Sequence, residues 1–171
     1  MTQRFRIEPL SSTHDRSHFS SGVEVLDRYL REFAAQDAKR RVSNCFVALD
    51  DAGLVAAYYT LAATSLPLTE LPRELVRKLP RYPLLPAGLI GRLAVDRGFQ
   101  GAGLGGALII DAVERAARAD PAIYAIIVDA KDETAAAFYE HLQFRRFASR
   151  PASLSLPIAT ALQAIKNVDG G

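Results

Sequence analysis

The sequence is poor in sulfur: of 171 residues one is cysteine, one is methionine, and there is no tryptophan. A lone thiol excludes an intramolecular disulfide framework. Cys45 sits in the apolar run Cys45-Phe46-Val47-Ala48-Leu49, which reads as core rather than as a nucleophile. No apolar run reaches the roughly 18 residues a transmembrane helix needs. The opening segment, Met1 to Glu8, is polar and mixed in charge, without the apolar centre of a signal peptide. The three histidines, His14, His18 and His141, support neither a triad with a serine nor a metal-ligand spacing, so no metal is expected. Charge of one sign is also scarce, with a net value of +2. Basic residues nevertheless cluster at Lys39-Arg40-Arg41, at Arg73, Arg77, Lys78 and Arg81, and at Arg145-Arg146 with Arg150. Each cluster reads either as a solvated surface or as a groove for a polyanion. These absences together predict a cytoplasmic protein with no membrane partner.

What is present is apolar and patterned. Hydrophobic residues make up 49%, enough to predict a packed core and a single domain over residues 1–171. Phe5 to Glu8 reads as a short strand. Ser21-Gly22-Val23-Glu24 fits a capping box, and Leu26, Tyr29, Leu30 and Phe33 recur at helical spacing to predict one amphipathic helix to about Ala38. Asn44–Leu49 and Leu54–Leu61 flank Asp50-Asp51-Ala52-Gly53, a hairpin signal. Five prolines break residues 65–88, which excludes a central strand there. That stretch predicts a long excursion with a short helix over Arg73–Leu79, of the kind that borders substrate sites. Leu89–Val95 is the next strand. A helix from Leu104 to about Ala119, a strand over Ile123–Val128 and a helix over Glu133–Leu142 capped by Asp132 follow. Phe144–Ala148 and Ser153–Ile158 predict a closing pair of strands. The order describes a mixed α/β sheet with helices on its faces.

Between the strand ending at Val95 and the helix starting at Leu104 lies Gln100-Gly101-Ala102-Gly103-Leu104-Gly105. A helix start offers unpaired N–H groups and about half a positive charge. Glycines let backbone approach a phosphate closely, so a diphosphate is the natural ligand, against the alternative of a bare tight turn. Gly101 to Gly106 formally matches G-x-G-x-x-G. The dinucleotide fingerprint, however, begins directly after its strand and early in a doubly wound domain. Here Asp96 to Gln100 intervene, and too little chain follows. A Walker loop is excluded because no lysine or hydroxyl follows the glycines.

Gln100, Gly103 and Gly105 match Q/R-x-x-G-x-G/A and resemble the coenzyme A loop of GNAT acetyltransferases. Arg92-Leu93-Ala94-Val95-Asp96 before it and Ala135-Ala136-Ala137-Phe138-Tyr139 after it are also similar to that family. The resemblance implies a GNAT fold: a mixed, mostly antiparallel central sheet with one splayed parallel strand pair and helices on both faces. It implies acetyl-CoA as acyl donor. The pantetheine arm would pair with backbone of Leu93, Ala94 and Val95, and the pyrophosphate with amides of Gln100, Gly101, Ala102, Gly103, Leu104 and Gly105. Strand alternation puts Arg92, Ala94 and Asp96 on one face and Leu93 and Val95 on the other. By the same resemblance Tyr139 is the candidate acid that protonates the leaving thiolate, while its neighbours also suit a core aromatic. Many family members carry asparagine where this chain has Asp132, so no cofactor contact is assigned to it.

Phe19-Ser20-Ser21-Gly22, Leu26-Asp27-Arg28-Tyr29-Leu30, Gly91 to Asp96 and the proline-rich excursion resemble the GNAT toxins of bacterial toxin–antitoxin pairs. That resemblance implies acetylation of the α-amine of aminoacyl-tRNA, a block of translation, a small ribbon-helix-helix antitoxin as partner and a homodimer. Arg92, Arg77 and Lys78 are then candidate substrate-binding residues, with Arg92 either orienting the acceptor or pairing with an acidic residue. The competing readings are an acetyltransferase of a small amine or protein N-terminus, and a module that binds acetyl-CoA without turnover.

Overall fold

The hairpin read from the two apolar runs is present in the computed structural model, which describes residues 4–170. Met1 to Gln3, the start of the polar amino-terminal segment, and Gly171 lie outside the described residues. Strand β2 (Asn44–Leu49) pairs antiparallel with β3 (Val55–Pro67). In the turn between them Asp50 Oδ1 accepts from the N–H groups of Ala52 (3.0 Å) and Leu54 (2.8 Å), and Gly53 takes φ 83°. A carboxylate that captures its own downstream amides is why aspartate favours such turns. β1 (Arg6–Pro9) lies antiparallel on the other edge of β2.

The remaining elements are α1 (Glu24–Glu32), α2 (Ala34–Lys39), α3 (Arg73–Val76), β4 (Leu84–Val95), α4 (Leu104–Arg118), β5 (Ala125–Asp129), α5 (Glu133–His141), β6 (Arg145–Arg146), β7 (Ser153–Pro157) and α6 (Ile158–Asp169). The strand order is β1-β2-β3-β4-β5-β7-β6. β4 and β5 run parallel, while β5–β7 and β6–β7 are antiparallel. This is the mixed sheet with one parallel pair that the resemblance implies.

The chain forms two compact units, the first of residues up to Ala62 with Gly91–Asp111, the second of Ala63–Ile90 with the chain from Ala112 on. The first unit has a core of Phe19, Tyr29, Leu30, Ala34, Cys45, Val47, Leu49, Val55, Tyr58 and Ala94. Alternation in β3 sends Tyr58 to this helix-covered face, where its hydroxyl donates to Leu26 O (2.6 Å). It sends Tyr59 to the opposite face, where its hydroxyl donates to Asp111 of α4 (2.6 Å). Helices therefore cover both faces of this unit's strands. In the second unit Leu66, Leu71, Leu85, Ala87, Ala125, Ile127 and Phe147 form the core. Each buried leucine, isoleucine or phenylalanine among them contributes about 1.5–3 kcal/mol.

Four expectations need correction. The predicted single helix to Ala38 breaks at Phe33, whose φ of −120° leaves the helical region. The break lets the Phe33 ring stack on Tyr29 at 6.4 Å and brings Asp37 of α2 within 2.7 Å of the Tyr29 hydroxyl. The capping box does not form. Val23 is the N-cap residue and makes no side-chain cap. Ser21 Oγ instead donates to the buried carboxylate of Asp27 (2.6 Å), and Glu24 pairs with Arg31. The proline-bearing stretch does contribute to central strands, because β3 extends to Pro67 and β4 contains Pro86. Pro86 is tolerated because the parallel ladder begins only at Ala87, while its carbonyl accepts from Tyr124 N–H (2.8 Å). Finally, Ile158 is not strand but the first residue of α6, a helix not expected from the sequence. Its signal was there: Pro157 at the helix start, then Ile158, Ala161, Leu162 and Ile165 at helical spacing.

Candidate functional site

The site is built around the turn that joins β4 to α4 in the first unit. Asp96 ends the strand region. Its Oδ1 accepts from Gly98 N–H (2.8 Å) and its Oδ2 from Ser20 N–H (2.9 Å). The Gln100 side-chain amide donates to Val95 O (3.1 Å) and Ser21 O (3.2 Å). The glutamine is thus a strut that ties the turn to the segment leading into α1. Sequence pattern could not show this, because its partner lies 79 positions away.

Beyond the strut, Gly101 and Gly103 take φ 85° and 77°, the left-handed region that β-carbons disfavour. A Cβ at either position would meet nothing within 4 Å, so the demand there is conformational rather than steric. The first intrahelical bond of α4 runs from Ala107 N–H to Gly103 O (3.2 Å). Among the described residues the N–H groups of Leu104, Gly105 and Gly106 have no protein acceptor. Exposed glycine backbone, bare amides and the positive end of a helix of 15 residues fit a diphosphate. The glycine turn read from sequence is therefore present as a cradle.

The strand feeding this cradle changes partners along its length. The parallel register pairs Ala87–Ile90 with Ala125–Val128 and ends there, but β4 runs on through Gly91 to Val95. In that continuation Arg92 N–H donates to Thr60 Oγ1 (3.1 Å), and Asp96 N–H to Ala56 O (2.8 Å). Thr60 is buried and serves the strand by its hydroxyl, a role its place in an apolar run conceals. Ala94 points into the first unit's core, and Leu93 and Val95 are half-buried. Arg92 shares the Ala94 face, as alternation predicts. Its guanidinium lies 3.5 Å over the centre of the Tyr29 ring. Among the described residues it has no ion pair, so the alternative of an acidic partner for Arg92 is not realised. Burial first, then the hydrogen bond to Asp37, pushes the Tyr29 hydroxyl up to about 12, so it stays protonated beneath the cation.

Tyr139 lies in the second unit, on α5. Its ring packs against Phe138 (5.2 Å) and Phe144 (5.5 Å) and is 8% exposed. Among the described residues the hydroxyl has no partner, yet no buried polar atom is left unsatisfied, so the hydroxyl reaches solvent. Burial, and secondarily the Asp129 carboxylate, raise its pKa above the ordinary 10.0. Such a phenol is a proton donor rather than a base at neutral pH. Asp132 caps α5 as expected, with Oδ1 accepting from Ala135 N–H (2.8 Å). Arg77 lines an open groove of about 390 Å³ with Leu68, Thr69, Leu71, Arg73 and Val76, while Lys78 is exposed and outside that lining. The structure thus brings Arg92, Leu93, Ala94, Val95 and the Gln100–Gly105 turn together in the first unit, and places Tyr139, Arg77 and Lys78 in the second. Cys45 is buried with its thiol pushed up to about 12 by desolvation, which makes it a core residue, as read.

Comparison with known proteins agrees with this geometry. Residues 41–146 match the family described as Acetyltransferase (GNAT) domain. A tRNA-acetylating toxin of Mycobacterium tuberculosis (strain ATCC 25618 / H37Rv) is 39% identical over 86% of this chain and 88% of its own length. The structure of AtaT complexed with acetyl-methionyl-tRNAfMet superposes with a TM-score of 0.86 at 25% identity, covering 95% of this chain and 99% of that one. The crystal structure of AtaTR bound with AcCoA gives a TM-score of 0.77 at 25% identity, covering 94% and 98%. No described helix is long and apolar enough to cross a membrane. With a glycine cradle at the start of α4, a strand that outruns its parallel partner and a family match over most of its length, the chain belongs to the GNAT acetyltransferases and is an acetyl-CoA-dependent N-acetyltransferase.

Proposed function

We propose that this acetyltransferase acts on aminoacyl-tRNA, blocks translation by capping its α-amine, and is held in check by a small ribbon-helix-helix antitoxin. The observation that carries the reading is the 39% identity, over 86% of the chain, to a tRNA-acetylating toxin. Residues 1–171 act in it as one acetyltransferase domain, cytoplasmic and homodimeric.

Acetyl-CoA supplies the thioester-bound acetyl group. Amides of the Gln100–Gly105 turn hold its pyrophosphate, and backbone of Leu93, Ala94 and Val95 holds the pantetheine arm as an added strand would be held. A free α-amine has a pKa near about 8, and the neighbouring ester lowers it, so no strong base is required. The amine nitrogen forms the new bond to the acetyl carbon, the carbon–sulfur bond breaks, and the amine proton passes to solvent. Tyr139 donates its phenolic proton to the departing thiolate and recovers one from water. Arg92 orients the acceptor, and Arg77 and Lys78 meet the phosphate backbone, so binding weakens with salt.

The test is transfer of radiolabelled acetyl from acetyl-CoA to a pool of charged tRNA, with free amino acids and peptides as competing acceptors. Label on the tRNA is the expected result. Label only on free amines or peptides would overturn the aminoacyl-tRNA reading.

A further inference from the structure

A cavity of about 370 Å³ opens beside Arg92, lined by Val25, Arg28, Tyr29, Phe33, Asp37 and Arg92, all within the first unit. Its chemistry is unusual for a surface. Val25 and Phe33 are 77% and 42% exposed, which leaves apolar surface open at its rim. The Phe33 ring is stacked on Tyr29 along one side (6.4 Å) and has the Arg28 guanidinium 5.5 Å from its centre. Arg28 is neutralised by Glu32, one helical turn on. Arg92 lies flat on Tyr29 and has no ion pair among the described residues, so its charge is free to act outward. Asp37 spends Oδ2 on the Tyr29 hydroxyl (2.7 Å), which leaves Oδ1 as an acceptor.

We infer that this cavity takes the unstacked 3′-terminal nucleoside of the acceptor RNA. The base takes the place of the Arg28 guanidinium over the Phe33 ring, its exocyclic amine donates to Asp37 Oδ1, and the adjoining phosphate is met by Arg92. Flat aromatic and guanidinium surfaces are how proteins hold splayed single-stranded bases. The free cation supplies the phosphate contact. The cavity's position fits the chemistry as well, because Arg92 precedes Leu93–Val95 on β4 and an aminoacyl group is esterified to the terminal ribose. The inference rests on the aminoacyl-tRNA reading and adds the part of that substrate which the first unit recognises.

The test uses an acceptor-stem RNA hairpin whose 3′-terminal base is 8-vinyladenine, a fluorescent adenine that keeps the 6-amino group and is quenched on stacking. Binding to the wild-type protein quenches the terminal base several-fold. Phe33→Leu, conservative at a partly exposed position, removes the quench and weakens hairpin binding about tenfold, while acetyl-CoA affinity is unchanged. Arg92→Gln lowers the slope of log affinity against log salt by about 0.7. A terminal base that stays bright in the bound wild-type complex, while charged tRNA is still acetylated, overturns the pocket and leaves the proposed function standing. A Phe33→Leu variant that keeps the quench but alters preference among aminoacyl groups on one RNA assigns the cavity to the amino-acid side chain and also overturns it. Absence of label on any charged tRNA defeats the functional reading itself.

Discussion

Two helices of this protein start in opposite ways. α5 opens on Asp132, whose carboxylate closes on Ala135 N–H, with Glu133 beside it. α4 opens on Gly101-Ala102-Gly103, and the N–H groups of Leu104, Gly105 and Gly106 face no protein acceptor among the described residues. Both starts carry the same partial positive charge. In one the protein neutralises it with its own side chain, and in the other it leaves it bare, at a cost of about 1 kcal/mol of capping. The difference separates a helix start closed by its own side chain from one whose amides are left open, as an anionic ligand would need.

Converting the open start into the closed one is the strongest way to break that comparison. Gly103→Asp puts a carboxylate where α5 has one, at a φ that aspartate tolerates better than most residues. Acetyl-CoA affinity, measured by calorimetry, should fall about 100-fold through charge repulsion and competition for the same amides. Gly103→Asn, neutral and suited to the same φ, should lose much less. Equal losses for the two variants would mean that strain, not charge, governs the turn.

Next in size is Tyr139→Phe. Turnover should fall about 100-fold, with acetyl-CoA affinity within about twofold of wild type. The raised pKa of this phenol sets the sign of its pH dependence. The acid is present throughout the neutral range and is lost only as pH climbs past the ordinary value of 10.0. Full activity in the variant would leave Tyr139 a packing residue.

Opening the closed start should affect stability alone. Asp132→Ala should lower stability by about 1 kcal/mol and Tm by about 2–4 °C, and leave acetyl-CoA affinity unchanged. A change in affinity would tie α5 to the ligand and erase the contrast.

The smallest effect belongs to another self-sealed backbone site. Glu70 accepts from Ser149 Oγ and from Ser149 N–H (3.1 Å). The side-chain hydrogen bond first, and the backbone one second, hold its carboxyl below the ordinary 4.5. A lowered folded-state pKa contributes stability above that value and loses it as pH falls below it. Ser149→Ala should therefore lower Tm slightly near neutrality, where the contribution is fully present, and converge on wild type as pH falls well below 4.5, which flattens the fall of Tm in acid.

Much of this was legible in the chain because its signals are local. An apolar run marked β2, alternation marked the Arg92/Ala94 face, Asp50 and Gly53 marked their turn, and the glycines with Gln100 marked the cradle. Expectations failed where a tertiary partner overrode a local rule. Ser21 abandons the capping box because the buried Asp27 carboxylate needs its hydroxyl and N–H. The helix read through Phe33 breaks where Tyr29, Phe33 and Asp37 pack together. Pro86 enters a central strand because the ladder it would interrupt has not yet begun.

The sequence alone determined the family, the glycine turn before α4 and the tyrosine on α5, since each is a short-range pattern of residue types. Only the tertiary structure decided that Gln100 is a strut, that Thr60 serves the strand beside Arg92, and that Arg92 lies on Tyr29 above an open aromatic cavity. Those roles depend on residues 79, 32 and 63 positions apart meeting at hydrogen-bond or van der Waals distance, and no periodicity along the chain encodes such a meeting.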